Sequence, residues 1–153
     1  MNVDAALPPT KASIVVIARK SMGSIIKAWA KEVPLLDLMV VEAMAIVWAL
    51  ELALSEKFAK VIVESDAKMC IEDLSYPTDA GCWKIRNFSF PTVDLIFGFV
   101  SCNVHWVCRE RNQVAHALAK VAFSLALPFC DILDTLPPFV DEAWFRDVVM
   151  FTS

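Results

Sequence analysis

None of the cysteines stands in a CxxC pair, and the five present make an odd number, which suits a reducing compartment better than a disulfide scaffold. The tightest group is Cys102, His105 and Cys108. It reads as part of an alternating strand in which Val100, Cys102, Val104, Trp106 and Cys108 share one face and His105 takes the other. Cys102 and Cys108 then stand about 20 Å apart at ~3.3 Å per residue, too far to share a zinc ion, and they are expected to be buried core thiols. Positive charge is also scarce. A formal net charge of −4 with 14 Lys and Arg residues excludes binding of nucleic acid through an overall basic field, so any such surface must be local.

The opening Met1-Asn2-Val3-Asp4 lacks the basic and apolar regions of a signal peptide, and an intracellular, non-secreted protein is expected. The best candidate for a membrane span, Leu38 to Leu54, carries Glu42 and Glu51. A charge at mid-span costs on the order of 2.5–3.5 kcal/mol, so no membrane segment is expected. The chain contains no internal repeat and no low-complexity segment.

What is present is apolar. At 153 residues and 58% hydrophobic, against about 45–50% for an average soluble protein, the chain can fill one sizeable core. Asn2 to Ala6 reads as a strand closed off by Pro8-Pro9. Ser13 to Ala18 and Ser24 to Lys31 read as a hairpin around Lys20-Ser21-Met22-Gly23. Met39 to Glu56, free of Gly and Pro, spaces Ala43, Ile46, Val47, Leu50 and Leu54 as a helix does. Lys60 to Ser65 is the next strand and Asp66 to Leu74 a short helix opening on an acid. Trp83 to Gly98 reads as a helix broken at Pro91, and Phe99 to Cys108 as the last strand. A final helix starts at the N-cap residue Asn112 and stops before Pro128. The order βββαβαβα predicts a five-stranded mixed sheet with flanking helices over residues 1–127, followed by a C-terminal extension, 128–153, of linker plus a short amphipathic helix at Trp144 to Met150.

Three carboxylates stand in apolar surroundings: Asp4 in the first strand, Glu42 inside the long helix and Asp66 at the end of the strand Lys60 to Ser65. Each has an ordinary explanation. Asp4 fits a frayed terminus, Glu42 the positive end of a helix, and Asp66 a cap on the helix after it. Asp4 follows Met1 by only three residues in what reads as a central strand, and both a whole gene product and a domain cut from a longer parent protein stay open.

Val3-Asp4-Ala5-Ala6, Val41-Glu42-Ala43, Glu64-Ser65-Asp66 and the run Arg109-Glu110-Arg111-Asn112-Gln113-Val114-Ala115-His116-Ala117-Leu118-Ala119-Lys120 occur in that order. The series resembles the reverse-transcriptase-like ribonuclease H family of plants, whose fold is that of ribonuclease H type 1 enzymes and retroelement polymerases. The likeness covers nearly all of residues 2 to 126. It implies that Asp4, Glu42 and Asp66 are metal-binding acids, that the cofactor is magnesium or manganese, and that the partner is an RNA–DNA hybrid whose RNA strand is cut. The same resemblance implies a catalytic place for the residue at position 116, where ribonuclease H type 1 enzymes carry an aspartate and this chain has His116.

The imidazole leaves three readings open: a weakly held second ion with slow or manganese-dependent activity, a proton shuttle, or a residue that packs and hydrogen-bonds at the helix start. No loop histidine is available, since His105 lies in the strand. Arg109 and Arg111 beside the last motif, with Lys84 and Arg86 near the broken helix, are the candidate nucleic-acid contacts; the ordinary reading is a solvated surface. The competing function is a domesticated retroelement domain that has lost turnover and serves as an interaction module.

Overall fold

A computed structural model describes residues 1–76, 81–122 and 129–130. The strand β1 (Asn2–Ala6) is followed by β2 (Ala12–Arg19) and β3 (Ile25–Val33), the helix α1 (Leu38–Ser55), β4 (Lys60–Ser65), α2 (Lys68–Ser75), α3 (Arg86–Ile96), β5 (Ser101–Trp106), a 3₁₀ turn (Arg109–Arg111), α4 (Gln113–Val121) and the two-residue β6 (Phe129–Cys130). The sheet order is β5-β4-β1-β2-β3-β6. β1, β2 and β3 pair antiparallel, and β4 and β5 run parallel to β1. The expected five-stranded mixed sheet is present, and β6 extends it at the β3 edge by pairing Trp29 with Cys130 and Ala30 with Phe129. The amphipathic helix expected at Trp144 to Met150 lies outside the described residues.

The two faces of the sheet are covered unequally. α1 packs on one face over Val3, Ile14, Val16, Val61 and Val63, while α4 packs on the other over Val15, Ile17, Ala28 and Ala30. β2 is therefore enclosed from both sides, which is why its sequence is a continuous apolar run rather than an alternation. β4 and β5 are covered on the α1 side only. Val61 and Val63 are buried, whereas Ile62 between them is 48% exposed. By length and composition α1 passes for a helix that crosses a membrane, but here Val41, Ile46 and Leu50 are fully buried against the sheet. Each such side chain contributes roughly 1.5–3 kcal/mol.

The turn between β2 and β3 closes by hydrogen bonds from Gly23 N to Lys20 O and from Lys20 N to Ser24 O, both 2.9 Å. Gly23 takes φ 87° there, a conformation that a Cβ disfavours.

Two expectations need correction. The break at Pro91 does not occur: α3 runs through it from Arg86 to Ile96. A proline leaves the carbonyl four residues earlier without its helical donor, and here Asn87 and Pro91 both lie on the exposed face, where water can take that role. Buried Thr92 anchors the same turn, its Oγ1 donating to Phe88 O at 2.7 Å. The thiols of Cys102 in β5 and Cys108 just after it are not fully buried core groups. Cys102 and Cys108 are half-buried, and Cys70 on α2 is the fully covered free cysteine among the described residues.

Candidate metal centre

Asp4 sits in the middle of β1, paired with Val15 and only 2% exposed, so it is no frayed end. Glu42 lies on the buried stripe of α1 with Ala45, Ile46, Ala49 and Ala53. It falls beyond the first turn, and the N-cap is Asp37, whose side chain accepts from Met39 N at 3.1 Å. Asp66 does not cap α2 either, because the cap position is Ala67 and has no side-chain hydrogen bond. Instead Ser65, fully buried, accepts from Ala67 N at 3.1 Å and bends the chain as it leaves β4. Asp66 stands at that bend.

The topology then does what none of these residues does alone. β4 lies beside β1 and α1 crosses both, so Asp4, Glu42 and Asp66 each offer a carboxylate oxygen within 4.8 Å of the others. Two carboxylates about 5 Å apart repel by roughly 3 kcal/mol at an effective dielectric near 20. Burial, then the charges of Asp4 and Asp66, push the Glu42 carboxyl up to about 9 against an opposing pull from Arg109. Asp4 is raised for the same reasons, burial first and then Asp66, against the hydrogen bonds from His116 and Ala5 N. Glu42 Oε2 is buried without a hydrogen-bond partner. A buried acceptor in that state costs about 1–3 kcal/mol.

A hard divalent cation fits this donor set. Magnesium takes oxygen ligands, keeps several waters and is held by few carboxylates, and the orphaned Glu42 oxygen points to a ligand position that the protein's own groups do not fill.

The side of Asp4 facing α4 is different. His116 Nδ1 lies 2.8 Å from Asp4 Oδ2, and Asp4 Oδ1 accepts from Ala5 N at 2.8 Å. Arg109 reaches in from the 3₁₀ turn, with Nη2 3.5 Å from His116 Nδ1 and Nε 3.7 Å from Asp66 Oδ2. The structure thus brings Asp4, Glu42, Asp66, His116 and Arg109 together. Arg111 is exposed in the same turn. Lys84 and Arg86 stand at the start of α3, where Lys84 Nζ pairs with Asp37 at 2.7 Å.

Asn112 has a larger part than its sequence reading as an N-cap. It occupies the cap position of α4 but makes no capping bond. Fully buried, its Nδ2 donates to Val3 O at 2.8 Å and to Asp66 Oδ1 at 3.3 Å, and its Oδ1 accepts from Asn2 Nδ2 at 3.3 Å. Asn2 Oδ1 in turn accepts from Arg19 Nε at 3.0 Å. One amide therefore ties β1, the end of β4 and α4 into a single frame. The available signal was a second polar residue, Asn2, beside Asp4 in a short strand whose other members are apolar, and another asparagine four residues before His116.

Solved structures share this fold. The ribonuclease H1 of the halophilic archaeon Halobacterium salinarum superposes with a TM-score of 0.73 at 22% identity, covering 82% of this chain and 96% of that one. The N-terminal ribonuclease H domain of rv2228c from Mycobacterium tuberculosis gives 0.68 at 19% identity, with 80% and 92% covered. LC11 ribonuclease H1, solved in complex with an RNA/DNA hybrid, gives 0.69 at 16% identity, with 82% and 97% covered. No curated protein matches the chain. Residues 2–122 match the family described as reverse transcriptase-like, and that span carries every strand of the common sheet and all the clustered side chains, so the chain belongs to the reverse transcriptase-like family and is a ribonuclease H-type domain.

Proposed function

We propose that the domain binds RNA–DNA hybrids and hydrolyses their RNA strand with a divalent metal, magnesium or manganese, held by Asp4, Glu42 and Asp66. The observation that carries this reading is the convergence of the three carboxylates, one oxygen of each within 4.8 Å of the others, together with a buried Glu42 oxygen that has no protein partner. When bound, such an ion supplies Lewis acidity at the phosphoryl oxygen and makes a bound water easier to deprotonate.

The chain's own residues supply the rest. Asp4 and Glu42, fixed by β1 and α1, form the floor of the site, and Asp66, with 17% of its side chain exposed, forms the rim open to substrate. Asn112 holds Asp66 in place. Arg109 and Arg111, exposed beside that rim, are suited to phosphate contacts, which fix register without reading sequence. In the proposed hydrolysis a water oxygen bonds to phosphorus while the P–O3′ bond breaks. The water's proton passes to solvent and the departing O3′ takes one from solvent, so the products are a 3′-hydroxyl and a 5′-phosphate.

The test is a titration of magnesium and manganese against a labelled hybrid with the wild-type protein and Asp66→Asn. Metal-dependent cleavage that disappears in the variant supports the reading; equal cleavage by both assigns the activity to something other than this site. The contact between His116 and Asp4 favours one alternative, a domain that binds hybrid without turnover. It predicts hybrid binding of ordinary affinity with no cleavage under either metal.

A further inference from the structure

The groups around Asp4 also bear on how many ions the site takes. A two-ion centre has its ions about 3.5–4 Å apart, close enough for the two oxygens of one carboxylate to meet both. Asp4 is the residue placed to be shared, since it lies between the Glu42 side and the α4 side of the cluster. Its two oxygens have different partners. Oδ1 accepts from Ala5 N, and Oδ2 is 2.8 Å from His116 Nδ1. Beyond Oδ2, a second ion meets an imidazole nitrogen already turned to Asp4 and a guanidinium 3.5 Å from that nitrogen. Neither is a hard oxygen ligand of the kind magnesium takes, and the guanidinium repels a dication. Toward Glu42 the reverse holds: a buried oxygen has no partner, and Asp4 and Asp66 oxygens lie within 4.8 Å of a Glu42 oxygen.

We infer that His116, backed by Arg109, occupies the place of a second ion at Asp4, so that the site takes one divalent ion, on the Glu42 side. This rests on the reading that Asp4, Glu42 and Asp66 hold a divalent metal. Arg109 then provides positive charge on the side of Asp4 and Asp66 where a second ion is lacking, and His116 is a positioning residue that keeps Asp4 turned toward it.

Manganese tests this directly, by calorimetric titration and by electron paramagnetic resonance of the full chain at fixed pH without nucleic acid. The expected result is one ion per chain with the resolved hyperfine spectrum of an isolated manganese. Two ions per chain, or the spectrum of a coupled pair, overturns the inference and leaves the metal reading standing. No bound manganese at all overturns both, so the two failures are distinguishable. In His116→Asp the count is expected to rise to two with a coupled spectrum, because an oxygen ligand replaces the imidazole. A folded variant that still takes one ion shows that His116 does not exclude the second. Should circular dichroism show that variant unfolded, the wild-type count decides alone.

Discussion

On the α1 side of Asp4 the site is short of positive charge, whereas on the α4 side the protein has met the need with its own groups. Glu42 is 8% exposed with an oxygen that nothing in the protein satisfies. Across the strand, His116, Arg109 and Asn112 have taken up positions against Asp4 and Asp66. Acids a few ångströms apart are thus handled in two ways: one side leaves a buried oxygen without a partner in the protein, and the other carries permanent partners. On the proposed reading, a bound metal would offset the burial and the neighbouring charges that disfavour an ionised Glu42 in the first arrangement. The second gives rigidity at the cost of a ligand position.

Removing the Glu42 carboxyl should break the comparison most completely. Glu42→Gln deletes a proposed metal ligand, and since a bound metal contributes several kcal/mol to transition-state charge stabilisation, hydrolysis of a labelled hybrid should fall on the order of 10³-fold. The same change should stabilise the metal-free protein. With its carboxyl at about 9 in the fold against an ordinary 4.5, Glu42 carries a linkage cost of roughly 3 kcal/mol at pH 7. Denaturant unfolding in chelator should show a gain of up to that size. A loss of metal-free stability would mean that the Glu42 charge is compensated within the protein after all.

The same asymmetry predicts a pH dependence. Between pH 4.5 and about 9 the folded protein keeps a proton on Glu42 that the unfolded chain releases. Metal-free stability should therefore be greatest at and below pH 4.5 as far as this group is concerned, and should decline as pH rises through that window. The slope is at most about 1.4 kcal/mol per pH unit for one group. Asp4, also raised, contributes with the same sign. Melting curves in chelator and in magnesium should diverge as pH rises, and Glu42→Gln should flatten the first. Parallel curves at all pH values would remove the metal-dependent side of the comparison.

The legible part of this site was the part written in unlike residues. An acid inside an apolar strand, another inside an apolar helix and a third at a strand end stand out against their neighbours, as do the continuous run of β2 and the helical spacing of α1. The illegible part was written in residues with a good local explanation. Asn112 precedes a helix, so it reads as a cap, but the neighbouring strands offer Val3 O and Asp66, and those long-range partners win. Asp66 likewise precedes a helix, yet the bend at Ser65 turns it to the cluster. β5 alternates as a half-buried strand should, but its depth could not be read, because coverage depends on α4 lying over β2 rather than β5. Local pattern identifies elements; which local donor loses to a distant acceptor is a property of the assembled sheet.

Asn112 should also show a smaller effect that sharpens the comparison. Asn112→Ala removes a buried donor from Val3 O and Asp66, which should destabilise the protein by about 1–3 kcal/mol. Magnesium binding, measured by calorimetry, should weaken as well, because Asp66 loses a partner that holds it at the rim. Asn112→Asp keeps the size but adds a carboxylate near Asp66, so its loss of metal-free stability should exceed that of Asn112→Ala and shrink when magnesium is added. Equal losses with and without metal would make Asn112 part of the scaffold only.

The smallest effects separate the exposed cations. Arg109 lies 3.7 Å from Asp66 with 62% of its side chain exposed, so it can turn from the acids to a phosphate. Lys84 is held at 2.7 Å by Asp37, whose carboxyl the Lys84 hydrogen bond keeps below its ordinary range. A lysine already paired in this way releases fewer counterions on meeting nucleic acid than an unpaired one. Arg109→Ala should therefore weaken hybrid binding a few-fold and lower the slope of log affinity against log salt by about 1, while Lys84→Ala should leave the slope close to that of the wild type. The measurement is fluorescence anisotropy of a labelled hybrid across a salt series, in chelator so that cleavage does not intervene. A slope change in Lys84→Ala as large as that in Arg109→Ala would extend the bound surface from the 3₁₀ turn to the start of α3, and the hybrid would then span both sides of the site rather than the α4 side alone.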